Sequence, residues 1–147
     1  MDATDLKILQ VLSQDGRKSF VEIAKESHLS PVAVKNRVER LISEGVLKIQ
    51  GLLNIGKCYS VSANIEVEAD QKTISKMIEK FEKSPLVYHL VKTSGSYNLV
   101  ISIIAPNLES IENLIAKEIR REPGVRHIEV NVGELPIIPK TWNPPIS

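Results

Sequence analysis

The sequence predicts an α+β protein in two parts, a helical N-terminal third followed by a segment with the element order β-α-β-β-α-β. Three observations support this. Apolar residues recur at spacings of three and four through about the first 45 positions. At Tyr59 the period shortens to two. Two further helical stretches then alternate with strands up to Val132.

The first helix follows from Leu6, Leu9 and Leu12, with Ile8 and Val11 alongside, and stops at Asp15-Gly16. Ser19-Phe20-Val21-Glu22 reads as a capping box, so a second helix starts there, carries Ile23 and Ala24 inward, and ends near Ser27-His28. Ser30-Pro31 opens a third helix with serine at the N-cap and proline at the first helical position, where its missing N–H costs nothing. Val34, Val38, Leu41 and Ile42 are expected to face inward, leaving Lys35, Asn36, Arg37, Glu39 and Arg40 to solvent. Gly45, after Glu44, closes the helix in the left-handed conformation. The β-rich stretch Val46 to Leu53 is expected as a wing or connecting strand.

Val61, Ala63, Ile65 and Val67 alternate with Ser60, Ser62, Asn64 and Glu66, the pattern of a strand with one buried face. Asp70 caps a helix bearing Ile74, Ile78 and Phe81, which ends before Pro85. Leu86 to Thr93 and Leu99 to Ala105 read as strands around a Ser94-Gly95-Ser96 turn. Asn107 caps a helix carrying Ile111, Leu114, Ile115 and Ile119, stopped by Pro123-Gly124, and Val125 to Val132 is the last strand. This order is that of a ferredoxin-like split β-α-β unit with both helices on one side of an antiparallel sheet. Because Leu99 to Ile104 is apolar at both parities, the second sheet face is also expected to be covered, by sheet-to-sheet packing with another subunit. The tail from Leu135 to Pro145 is too proline-rich for a helix or central strand and reads as an extended strap, with Trp142 packing onto the body or a neighbour.

Composition narrows the function. With 42% hydrophobic and 25% charged residues the 147-residue chain is ordinary globular protein, but neither part buries much alone, so oligomers are expected. The net charge of +1 confines any basic surface to a local patch. The start Met1-Asp2-Ala3-Thr4-Asp5 lacks a signal-peptide pattern and no apolar run approaches the ~18 residues of a membrane span, so a cytoplasmic protein without membrane contact is expected. Cys58, His28, His89 and His127 are too scattered for a metal-ligand motif, and no metal or cofactor is expected.

Two short helices joined by a tight turn, the second with a polar basic face, form a helix-turn-helix whose second helix enters the major groove of double-stranded DNA. On this reading Ser30 and the first-turn amides contact a phosphate, and Arg37 and Arg40 reach phosphate or guanine. Lys35 and Asn36 read base edges, Val32 and Ala33 touch a thymine methyl, and Arg17 and Lys18 anchor the backbone.

Asp5-Leu6-Lys7-Ile8-Leu9, Asp15-Gly16-Arg17, Glu22-Ile23-Ala24, Leu29-Ser30-Pro31, Asn36-Arg37-Val38, Leu41 and Glu44-Gly45-Val46, followed by Gly95-Ser96-Tyr97-Asn98 and Pro123-Gly124-Val125, occur in the order found in one family. The chain resembles the leucine-responsive and asparagine-operon regulators (Lrp/AsnC, or feast-famine). The resemblance implies a winged helix-turn-helix over residues 1–50, a connecting strand or hinge over 51–58, a RAM-type ligand-sensing and oligomerisation domain over 59–135, and a proline-rich tail over 136–147. It also implies homodimers that build tetramers or octamers, and an amino acid or related effector bound between subunits near Thr93, Gly95, Ser96, Tyr97 and Asn98. Two positions depart from the family pattern. His28 stands where glycine is frequent, so the turn must accept a non-glycine residue, which histidine does at modest cost. Asn98 stands where a carboxylate is common and offers no negative charge to an ammonium group.

The expectation is therefore a sequence-specific transcription regulator and not an enzyme. Relatives resembling sirohaem decarboxylases carry His and Arg at a porphyrin site, whereas the corresponding strand here has Tyr88, His89 and Lys92 without arginine, so no catalytic residue is assigned. The alternative is an architectural protein that coats DNA without an effector, which near-neutral charge disfavours because non-specific binding rests on counterion release.

Overall fold

A computed structural model describes residues 1–145; Ile146 and Ser147, the last two positions of the expected tail, lie outside the described residues. The chain divides into two compact units, Met1–Gly51 and the remainder from Leu52.

In the first unit α1 spans Ala3–Gln14, α2 Phe20–Ser27 and α3 Pro31–Ser43. Each starts on a side-chain cap: Asp2 accepts from the Asp5 N–H, Ser19 from Glu22 and Ser30 from Ala33. The caps of α1 and α2 are reciprocal boxes, satisfying donors that the first helical turn leaves unpaired. His28 takes the left-handed turn at φ 57°, and Gly45 takes it at φ 70° after α3, as their positions in the sequence require. Ile8, Val11, Leu12, Ile23, Ala24, Val34 and Val38 form the core, with Leu29 and Leu47 packed against it.

Three local expectations are corrected. Leu6 is 54% exposed and Ile42 46% exposed, because the buried stripes centre on Asp5, Ile8 and Leu12 in α1 and on Val34, Val38 and Leu41 in α3. At 100° per residue, Leu6 and Ile42 each sit one step off those stripes. The expected strand over Val46 to Leu53 is reduced to β1, Leu53–Asn54, and residues 46–52 are not in strand conformation. β-rich composition alone does not make a strand, because strand preference depends on packing against neighbours.

The second unit continues with α4, Ile55–Cys58, a single turn inside the expected connecting strand. The main elements are β2 (Val61–Ala69), α5 (Gln71–Phe81), β3 (Val87–Lys92), β4 (Leu99–Ala105), α6 (Leu108–Leu114) and β5 (Val125–Gly133). The sheet is antiparallel in the order β3-β4-β2-β5, so β2 lies between β4 and β5, with Ile65 opposite both Ile101 and Val130. Ala63, Ile65 and Val67 join Leu99, Ile101 and Ile103 in a core with Ile74, Met77 and Phe81 of α5 and Ile111 of α6. Past Leu114 the helix widens into a π turn over Ile115–Ile119. Ile111, Ile115 and Ile119 repeat every fourth residue and would drift off the core in a regular α-helix; the wider turn keeps them buried.

Gly124 is required by close approach. A Cβ there would meet Thr73 Oγ1 at 2.0 Å and Asp70 Oδ2 at 2.1 Å, while its carbonyl accepts from the Asp70 N–H at 3.2 Å. The tail is more than a strap: β6, Thr141–Trp142, pairs antiparallel with β1, and the Trp142 ring tilts against Tyr59 with centroids 6.3 Å apart.

The second sheet face is less apolar than the run Leu99 to Ile104 suggests. Ile104 is 0% exposed within the single chain, Ser102 donates to Asn64 Oδ1, and only Val100 and Val91 remain as partly open aliphatic positions beside Glu66 and Glu129. The both-parity pattern therefore has an internal cause at Ile104.

Candidate nucleic-acid interface and effector loop

The outward surface of α3 is built by its inward one. Val34, Val38 and Leu41 are buried, which turns Val32, Lys35, Asn36 and Glu39 to solvent. Val32 is 67% exposed, Ala33 is half-buried, and the Asn36 amide engages no other group among the described residues. Ser30 Oγ accepts from the Ala33 N–H at 3.2 Å, which leaves its own hydroxyl proton free to donate. Lys35 lies 3.7 Å from Glu39, one turn further on. Arg17 projects into solvent beside Asp15 at 3.4 Å, and Lys18 pairs with Glu26.

Arg40 is exposed as expected and Arg37 half-buried, but both are tied to one carboxylate. Asp5 is buried on α1, with its side chain 1% exposed, and it accepts from Arg37 Nη1 at 2.7 Å and Arg40 Nη2 at 2.8 Å. Arg37 Nη1 also reaches Asp2 Oδ2 at 2.7 Å, and the Asp2 N–H donates to Asp5 Oδ2 at 2.9 Å. The Asp2 N–H, then the Arg37 and Arg40 guanidiniums, hold the Asp5 carboxyl far below the usual carboxylate range against the cost of burial. Arg37 likewise draws Asp2 down, helped by the Asp5 N–H. Two guanidiniums and two carboxylates sum to zero charge, so the most basic stretch of α3 is locally neutralised. Each arginine still has further N–H groups to offer outward.

Asp2 and Asp5 were not among the residues assigned from sequence. The signal was present: an Asp-x-x-Asp pair opens the first helix, and Asp5 falls three residues before Ile8 on its buried stripe. A carboxylate on an apolar stripe needs cationic partners, and arginines alone can supply two-pronged ones.

The loop between β3 and β4 gathers Thr93, Gly95, Ser96, Tyr97 and Asn98. The Thr93 N–H donates to the Asn98 carbonyl at 3.1 Å and its hydroxyl to the Tyr97 carbonyl at 2.7 Å, closing the turn. Asn98 is a splice: Nδ2 donates to the Ala69 carbonyl at 2.7 Å, Oδ1 accepts from the Ala69 N–H at 3.1 Å, and its own N–H donates to the Val67 carbonyl. The side-chain amide thereby lengthens the β2–β4 pairing past the end of the strand. Gly95 and Ser96 are exposed, and a Cβ at Gly95 would come no closer than 3.6 Å to the Tyr97 carbonyl oxygen. Tyr88 of β3 is half-buried, and His89 and Lys92 are exposed.

A capped helix-turn-helix in front of a four-stranded α+β unit defines a class of two-domain DNA-binding regulators. The AsnC-type helix-turn-helix domain matches residues 1–42 and the Lrp/AsnC ligand binding domain residues 62–133. The HTH-type transcriptional regulator LysM of Sulfurisphaera tokodaii is 35% identical over 130 residues, 85% of this chain and 89% of the relative. In structure the chain is similar to AsnC of E. coli, with a TM-score of 0.80 at 21% identity, covering 94% of this chain and 95% of that one. It is also similar to a transcriptional regulator of Neisseria meningitidis solved as a complex with L-Met, with a TM-score of 0.79 at 22% identity over 98% and 96%. The chain belongs to the Lrp/AsnC family: it is a transcriptional regulator with an N-terminal helix-turn-helix and a C-terminal ligand-binding domain.

Proposed function

We propose that the protein is a sequence-specific, effector-modulated regulator that reads double-stranded DNA in the cytoplasm through the exposed face of α3. The observation that carries this is the unpartnered Asn36 amide, set between Val32, Ala33 and Lys35 on a helix whose other face is locked in the core. Asn36 makes the paired hydrogen bonds adenine accepts and donates, Lys35 donates to guanine, and Val32 and Ala33 meet thymine methyls. Ser30 and the first-turn amides bind a phosphate, with Arg17 and Lys18 as backbone anchors. Arg37 and Arg40, held on Asp5, turn their remaining N–H groups to phosphates.

The ligand-binding domain pairs with a second copy across the sheet face around Val91 and Val100, and dimers assemble into tetramers or octamers. An amino acid or related metabolite is the effector class, as the L-Met complex of the Neisseria relative illustrates for that protein. It meets the exposed Gly95-Ser96 turn and the Tyr97 ring, with Thr93 and Asn98 as the frame of the loop, since the Asn98 amide is spent on Ala69.

Selection of bound sequences from a random duplex pool, with and without each amino acid, tests this. A palindrome of about 13 to 17 base pairs is expected, two half-sites one helical turn apart, with its preference relaxed in Asn36→Ala. No enrichment would favour the architectural alternative.

A further inference from the structure

Two carboxylates meet one nitrogen. Arg37 Nη1 is 2.7 Å from Asp5 Oδ1 and 2.7 Å from Asp2 Oδ2, yet the Asp5 side chain is 1% exposed and that of Asp2 56%. Asp5 cannot leave without stranding a buried charge. Asp2 is open to solvent and exchangeable. It also stands on the outward surface, where it lines one shallow groove with Ala33, Asn36, Arg37 and Arg40. A carboxylate in a groove that faces DNA repels phosphates, and helix capping does not demand it. Asparagine and serine cap a helix start about as well as aspartate.

We propose that Asp2 occupies on Arg37 the place a DNA phosphate takes in the complex, so that Asp2 sets how much of the charge of α3 the DNA backbone meets. The inference rests on the reading that α3 lies on DNA. A phosphate oxygen accepts from a guanidinium N–H as the single Asp2 oxygen Oδ2 does here. Arg37 therefore exchanges Asp2 for phosphate while Asp5 keeps the side chain in position. During the exchange Asp2 Oδ1 retains the Asp5 N–H at 2.8 Å, so α1 keeps its cap.

The test is fluorescence anisotropy of the full chain with a random-sequence duplex, titrated between roughly 50 and 200 mM salt. Asp2→Asn keeps the cap and removes the charge. It is expected to bind about tenfold tighter at the low-salt end and to steepen the dependence of log K on log salt by about 0.9, one further counterion released. In an Arg37→Ala background the same substitution is expected to give well under half of either gain, since only the direct repulsion between Asp2 and phosphates is then removed. Asp2→Ser, which also caps α1, should repeat the result and guards against a folding defect peculiar to asparagine. Unchanged affinity and slope in both single variants would overturn the proposal. So would a gain that persists in full without Arg37, which would make Asp2 a general surface charge. Asn36→Ala in the same titration, on a duplex enriched by selection, separates the two levels. If it leaves binding unaltered, α3 is not on the DNA and the proposal falls with that reading; if it weakens binding while Asp2→Asn does nothing, only the role of Asp2 fails.

Discussion

Asn98→Asp exchanges one atom and tests the loop's construction. The oxygen that accepts from the Ala69 N–H at 3.1 Å is kept, but the nitrogen that donates to the Ala69 carbonyl at 2.7 Å becomes a carboxylate oxygen facing another oxygen. One hydrogen bond of about 1 kcal/mol is lost and a part-buried carbonyl is left without its donor, which together cost about 2 kcal/mol. For a unit of this size that lowers the melting temperature by roughly 10 °C. The ionised form is disfavoured by the Ala69 carbonyl, and only the protonated acid can donate to it, so the new group's pKa is raised in the folded state. A group with a raised folded pKa contributes stability below its unfolded value, about 3.9 for aspartate, and loses it as pH rises through the folded value. The deficit against the native chain should therefore be smallest below about pH 4 and largest at neutral pH. Scanning calorimetry at a series of pH values reads both quantities. A variant as stable as the native chain at pH 7, with no pH dependence of the difference, would refute the splice.

Gly124→Ala should destabilise the second unit by about 2 kcal/mol, because its Cβ displaces Asp70 from the cap of α5 as well as Thr73; thermal unfolding followed by circular dichroism measures it, and a loss below about half that would mean the loop yields freely. Asp5→Asn should flatten the acid limb of stability. The carboxyl of Asp5 is depressed in the folded state, so its contribution is full above the unfolded pKa of about 3.9 and fades as pH falls below it. Urea unfolding at pH 2 to about 5 on native and variant chains checks the sign, and parallel curves would contradict it.

Much of the fold could be read because its determinants are local. Ser19 with Glu22, Ser30 with Pro31, and Gly45 each specify a helix end with few neighbours involved, and the alternation through Val61 to Val67 specifies a face. What stayed hidden depends on partners distant in sequence. Nothing near Thr141–Trp142 announces a strand until Leu53–Asn54 is beside it, and Ile104 looks like half of an exposed stripe until the chain itself covers it. The candidate interface divides the same way. The outward placement of Val32, Lys35 and Asn36 follows from helical phase alone. The commitment of Arg37 and Arg40 to Asp5 spans more than thirty residues, and only the folded chain reveals it. Asn98 was flagged for the charge it lacks, whereas its position is explained by the donor it has.

The two-residue ribbon of β1 and β6 holds Leu53–Asn54, at the start of the second unit, beside Thr141–Trp142. The backbone enters this unit at Leu53, traverses the whole sheet, and returns to the same doorway at Trp142. Thr141 and Trp142 thus serve as the clasp of this unit: a change at either one is felt at Leu53 and Asn54, the first residues to pair after the chain leaves the helix-turn-helix unit.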